Sequence, residues 1–83
     1  PTPGHTPGSV CFHAAAAGLL FSGDTLFCGG VGRTDLPGGS QDALERSVRG
    51  VLYALPQQTR VYPGHGEPTR IGDEMNGNPY IRP

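Results

Sequence analysis

Leu19-Leu20-Phe21-Ser22-Gly23-Asp24-Thr25-Leu26-Phe27 is an apolar run that breaks at a glycine and delivers a carboxylate at the break. Leu19 to Ser22 reads as a strand, short and rich in residues suited to a half-buried pleat. Gly23 punctuates it and leaves Asp24 at the strand's C-terminal end, next to backbone with little side-chain bulk. Upstream, Ser9 to Ala14 has strand-like alternation, with Val10 and Phe12 on one face and Cys11 and His13 on the other. Ala15 to Gly18 between them is turn-like, so a β-hairpin is expected. Before it, Thr2-Pro3-Gly4-His5-Thr6-Pro7-Gly8 is a glycine-proline loop around His5.

Downstream of Asp24, Gly29 to Ser40 reads as a long glycine-rich loop containing Gly32-Arg33-Thr34-Asp35. Ser40 is a good N-cap, and Asp42 and Glu45 place negative charge where a helix start favours it. Leu44, Val48, Val51, Leu52 and Leu55 then recur as one apolar stripe of an amphipathic helix, with Arg46 and Arg49 off the stripe. Pro56 stops it. Arg60-Val61-Tyr62 is a short strand entering Pro63-Gly64-His65-Gly66, and Ile71 to Met75 could form a helical turn. The expected class is α/β, with a hairpin, a further short strand and one long covering helix. No internal repeat interrupts the 83 residues, which make at most one small domain.

Composition narrows function mostly by exclusion. The net charge is −1, and the six basic residues are all Arg and scattered, so neither a nucleic-acid face nor a polybasic membrane patch is expected. No apolar run nears the ~20 residues that span a bilayer. The fourteen glycines and nine prolines punctuate apolar segments, as ordered loops do. Cys11 and Cys28 have no C-x-x-C or zinc spacing and are expected as free thiols in a reducing cytoplasm. Gly29-Gly30-Val31-Gly32 is not a dinucleotide fingerprint, and no G-x-S-x-G surrounds a serine.

What remains is His5, Asp24 and His65, each in a glycine-flanked loop beside an apolar run. Two imidazoles and a carboxylate suit Zn²⁺, Fe²⁺ or Mn²⁺ better than Ca²⁺ or Mg²⁺. A carboxylate can also bridge two cations, and paired metals ~3.5–4 Å apart generate a hydroxide nucleophile near neutral pH and polarise a carbonyl. His13, in a strand, reads as structural, and Glu67 as a solvated loop carboxylate or a partner behind a ligand.

T-P-G-H-T-P-G-S, F-S-G-D-T-L-F and Y-P-G-H-G together resemble the second half of the metallo-β-lactamase superfamily. They look like its third histidine motif, its bridging aspartate motif and its last histidine motif, in that order. Gly29 to Asp35, directly after the aspartate motif, brings the likeness closest to the glyoxalase II-like (hydroxyacylglutathione hydrolase-like) branch. The resemblance implies one αβ half of an αβ/βα sandwich across residues 1–83. It makes His5 a ligand of a first metal, Asp24 the bridging, catalytic carboxylate and His65 a ligand of a second metal. Two zinc ions per complete site are implied, with iron or manganese as alternatives.

The H-x-H-x-D-H signature of that family is absent, so the chain is expected to be a C-terminal part whose N-terminal half lies elsewhere. The implied activity of the parent is cleavage of a small thioester or ester by metal-bound hydroxide, the 83 residues alone being inactive. Arg33 and Asp35 would line the substrate cleft, or else brace the loop as a pair. Asp35 stands where glutathione thioesterases carry an aromatic, which argues against glutathione. Two other readings stay open: a persulfide dioxygenase-like enzyme with one Fe²⁺, which shares Gly-Arg-Thr-Asp, and a silent module that folds by pairing with a second copy or the missing half. In the latter, a bare strand edge and helix face would drive association.

Overall fold

The computed structural model describes residues 1–83. Six strands and two helices follow in order: β1 (Phe12–Ala14), β2 (Leu19–Gly23), β3 (Leu26–Phe27), β4 (Gly30–Val31), α1 (Gln41–Ser47), β5 (Arg60–Pro63), β6 (Thr69–Arg70) and α2 (Ile71–Gly77). β1, β2, β5 and β6 form one sheet in that spatial order, while β3 and β4 form a separate two-stranded ladder. β1 and β2 are the expected hairpin, antiparallel with His13 opposite Leu20, joined by a single 3₁₀ turn, Ala15–Ala17. β2 and β5 are parallel, and the chain between them carries α1 across the sheet.

One face of this sheet holds the core. Leu20 and Val61 point inward and meet Leu44, Val48, Leu52, Tyr53, Ile71 and Ile81, all nearly solvent-free. Period-two alternation explains the selection, since Leu20 and Ser22 are buried while Phe21 between them is exposed. Cys11, just before β1, packs against the core, and both cysteines are free. The first strand is shorter than the alternation suggests, because residues 9–11 are tied into the His5 loop instead; the Thr2 amide bonds the Ser9 carbonyl at 2.8 Å.

Ser40 caps α1 as expected, its Oγ accepting from the Ala43 amide at 3.2 Å. The helix then differs from a plain α-helix. Val48–Leu52 is a π turn closed by the Tyr53 amide on the Val48 carbonyl at 2.8 Å. In a π turn each residue rotates through a smaller angle than in an α-helix. Val51, three residues on, falls short of the core and is half exposed, whereas Tyr53, five on, swings into it. The apolar stripe is therefore Leu44, Val48, Leu52 and Tyr53, with Leu55 partly buried, and Val51 leaves it.

Two further elements depart from the sequence reading. The glycine-rich segment after Asp24 is not all loop, for Gly29 at φ +73° turns it into the β3–β4 hairpin. Thr69–Arg70 adds a strand beside β5 before α2, which extends the helical turn expected at Ile71 to Met75. No helix is long and apolar enough to cross a membrane.

Candidate metal centre

Parallel pairing of β2 and β5 brings Asp24 to His65. Both strands end at the same edge, Gly23 opposite Pro63, so the residues that follow emerge side by side. The register slips between Phe21 and Gly23, where two β2 residues face one on β5, and Gly23 takes φ +53°. Such a bulge re-aims the next side chain. The Gly64 amide donates to the Gly23 carbonyl at 2.8 Å, and a Cβ on Gly64 would sit 3.3 Å from Asp24 Oδ1. The glycine before His65 therefore permits the close approach of the two loops.

His5 arrives from a different direction. Its loop is fastened to α1, where the Ser40 amide donates to the Gly4 carbonyl at 2.8 Å and the Ser47 hydroxyl to the Pro3 carbonyl at 2.7 Å. Gly4 has φ +146°, and a Cβ there would lie 2.4 Å from the Leu44 backbone. Only glycine lets the loop lie this close to the helix.

The three expected residues are thus gathered around one carboxylate. Asp24 Oδ1 is 3.1 Å from His65 Nδ1, and Asp24 Oδ2 is 3.8 Å from His5 Nε2. His5 Nδ1 lies 2.9 Å from the Arg33 carbonyl oxygen. A carbonyl only accepts, so Nδ1 carries the proton and a neutral ring turns its Nε2 lone pair towards Asp24. The His5 side chain is 24% exposed, against 80% for His65, which packs edge-on to Phe27 with ring centroids 6.3 Å apart.

These donors suit a divalent metal of the zinc or iron type, and the lone pair and carboxylate oxygen that face each other would both bind a cation between them. No group of three or more His, Cys, Asp or Glu side chains converges to hold a metal ion unaided. The arrangement is two His–Asp pairs that share Asp24.

His5, Asp24 and His65 border an open depression of about 350 Å³ whose remaining lining is Phe27, Val31, Gly32 and Arg33. Of the two expected substrate residues, Arg33 reaches this depression and Asp35 does not. Instead they form a two-point fork, with Arg33 Nε donating to Asp35 Oδ1 at 2.8 Å and Nη2 to Oδ2 at 2.9 Å. The hydrogen bond from Arg33, aided by a backbone amide, holds the Asp35 carboxyl below its ordinary range, and Asp35 raises the guanidinium in return.

His13 and Glu67 are both exposed, with no part in this cluster. Two participants escaped the sequence reading. Phe27 stood within the aspartate motif but looked like ordinary strand filling. The Arg33 carbonyl has no sequence signal, since every residue has one.

The comparisons with known proteins bear on the family and the fold. Residues 1–65 match the family model described as the metallo-beta-lactamase superfamily. A probable metallo-hydrolase, YqgX of Bacillus subtilis, is 49% identical over 80 residues, which are 96% of this chain and 38% of that protein. The hydroxyacylglutathione hydrolase GloC of Haemophilus influenzae is 43% identical over 79 residues, 95% of this chain and 37% of its own length.

Among solved structures, TTHA1623 in a di-iron-bound form superposes with a TM-score of 0.92 at 49% identity, covering 96% of this chain and 40% of that one. ETHE1 from Myxococcus xanthus gives 0.90 at 39% identity, covering 96% and 36%. The chain therefore spans well under half the length of these relatives. With residues 1–65 matching the family model and the folds superposing at TM-scores of 0.92 and 0.90, this chain belongs to the metallo-beta-lactamase superfamily, whose fold binds metals.

Proposed function

We propose that this chain is the C-terminal part of a metal-dependent hydrolase that cleaves a small thioester or ester. The observation that carries the reading is the division of Asp24 between two histidines, one on each carboxylate oxygen. That is the arrangement a bridging carboxylate needs. His5 through Nε2, Asp24 through both oxygens and His65 would hold the metals, zinc being the favoured ion. When bound, two such metals lower the pKa of a coordinated water and polarise a carbonyl.

The chain's own residues supply orientation. The Arg33 carbonyl keeps the His5 proton on Nδ1, and Phe27 sets the plane of His65. Phe27 and Val31 give the depression an apolar wall on which an acyl or thiol group can lie while water is displaced. Similarity to a hydroxyacylglutathione hydrolase supports a thioester as substrate. The Asp35 fork occupies the Arg33 guanidinium, which speaks against an anionic glutathione conjugate.

In this reading the rest of the site belongs to the remaining part of the protein, and a bare sheet face supports where that part would pack. Phe12, Phe21 and Tyr62 lie in one row across β1, β2 and β5 on the face away from the core. Phe12 is 71% and Phe21 48% exposed, and Phe21 stacks on Tyr62 at 5.9 Å. The apolar surface awaiting a partner is this sheet face, not the helix, whose outer side is charged with Asp42, Glu45, Arg46 and Arg49. We assign it to the remaining part of the same fold or, in the isolated chain, to a second copy.

The test uses the complete protein that carries this sequence. Two zinc ions per polypeptide and turnover of simple acyl thioesters are expected, with Asp24→Asn lowering kcat at least a hundredfold and halving the metal content. A single iron with oxygen uptake on persulfide would replace this reading by the oxygen-consuming one. The 83 residues alone should show no appreciable turnover.

A further inference from the structure

What holds the His5 ring is main chain, and that main chain is itself braced. The Arg33 carbonyl that meets Nδ1 at 2.9 Å follows Gly32, a position with no room for a side chain. A Cβ there would fall 1.9 Å from the Asp24 carbonyl oxygen and 3.0 Å from His5 Cβ. The Gly32 amide bonds the Thr25 carbonyl at 3.1 Å. Beyond Arg33, the Thr34 hydroxyl donates to Gln41 on α1 at 3.0 Å, and Gly39 lies against the Thr34 backbone where a Cβ would be only 2.4 Å away. The remaining freedom at Arg33 is removed by its own side chain, clamped at two points on Asp35.

An exposed ion pair two residues apart contributes little to overall stability. Its two-point geometry acts instead on the short backbone it encloses, Arg33 to Asp35. That backbone includes the one acceptor that decides which nitrogen of His5 carries the proton.

We propose that Asp35 is a positioning residue for His5. By pinning the Arg33 side chain, it keeps the Arg33 carbonyl aligned with Nδ1 and selects the tautomer whose Nε2 lone pair faces Asp24. Asp35 touches neither the substrate depression nor the candidate ligands. Its counterpart, Arg33, is then a strut more than an anion receptor, although it borders the depression. This deepens the metal-site reading, because a ligating imidazole needs its other nitrogen held by an acceptor.

The test is ¹⁵N NMR of the 83-residue chain with labelled histidine, without metal and at a pH where the rings are neutral. The two ring nitrogens of each histidine report its tautomer directly. Imidazole free in water favours Nε2–H, so a His5 signal dominated by Nδ1–H is a distinct signature. Asp35→Asn should lower the His5 Nδ1–H to Nε2–H ratio at least threefold, and Asp35→Glu should recover most of it. His13, which lies outside the cluster, should not change.

Arg33→Lys keeps the charge but cannot make the fork, so it should behave like Asp35→Asn and serves if that variant unfolds. Amide shifts in β2, β5 and α2 identify a folded sample. An unchanged ratio in a folded Asp35→Asn or Arg33→Lys chain would overturn the proposal, as would Nε2–H at His5 in the unaltered chain. Zinc titration of the complete protein that carries this sequence should show about tenfold weaker binding for Asp35→Asn, within the range for losses behind a ligand. If the complete protein that carries this sequence binds no zinc while the tautomer of the 83-residue chain still responds to Asp35→Asn, the metal reading fails and the positioning role stands.

Discussion

Glu74 is 4% exposed and has no cationic partner, yet it is satisfied. Its Oε1 accepts from the Gly29 amide at 3.0 Å and from Asn78 Nδ2 at 2.9 Å, and its Oε2 from the Thr69 hydroxyl at 2.6 Å. Those bonds tie α2 and β6 to the β3–β4 hairpin, which carries Phe27 and Val31 to the candidate metal centre. Glu74→Ala would strand several inward-facing donors, each worth about 1–3 kcal/mol when buried without a partner. A loss of about 3 kcal/mol is expected from urea unfolding, with Glu74→Gln intermediate.

Tyr53 offers a second reading at this scale. Its hydroxyl donates to the Ile81 carbonyl at 2.7 Å, and burial, with the Glu74 charge adding to it and Arg49 opposing, pushes its pKa from an ordinary 10 to about 12. The folded state favours the neutral phenol, so its contribution is complete below pH 10 and is lost as pH rises through about 12. Tyrosinate absorbance should show one of the three tyrosines ionising late, together with unfolding. Neither role was visible in the sequence. An acidic residue in a short tail helix and a tyrosine off the apolar stripe look like surface until the tail, Ile81 included, folds back over them.

At the level of elements, the helix after Ser40 shows how a correct pattern can misplace single residues. Spacing identified the helix, its cap and the inward positions of Leu44, Val48 and Leu52, because an apolar face must meet the sheet whatever the turn geometry. It put Val51 inside because it assumed α-helical rotation throughout, and the π turn undid that. Gly50 sits in this turn, exposed, without positive φ and with nothing within 4 Å of where a Cβ would be. Gly50→Ala should therefore raise stability by about 0.5–1 kcal/mol, mainly by restricting the unfolded chain. Gly4→Ala is the opposite case. Its Cβ would collide with the Leu44 backbone at a φ that side chains avoid, so a loss of about 3 kcal/mol is expected from the same unfolding measurement.

For the molecule as a whole, the unusual feature is a sheet dressed on one side only. The radius of gyration, 11.3 Å, is close to the ~12 Å expected of a compact chain of this length, so the fold is closed around its core despite the bare side. Phe12, Phe21 and Tyr62 form a connected apolar row on that side, the kind of surface that associates. Sedimentation velocity on the isolated chain should show concentration-dependent self-association. Phe12→Lys should shift it towards monomer with little change in thermal stability, since Phe12 is largely exposed already. A clean monomer at all concentrations would count against a second copy as partner of this face.

The sequence by itself determined the class of the fold, the hairpin and the capped helix, and it singled out His5, Asp24 and His65 as the candidate ligands. Local rules suffice for these, because apolar period, caps and glycine punctuation act over a few residues. Only the tertiary structure decided that Asp24 is divided between the two histidines, for this requires the parallel ends of β2 and β5 to lie in register and the His5 loop to be fastened to α1. It also decided that Arg33 is engaged by Asp35 while its carbonyl orients His5. Backbone acceptors are alike in every residue, and which of them meets a ring nitrogen is set by contacts 28 positions apart along the chain.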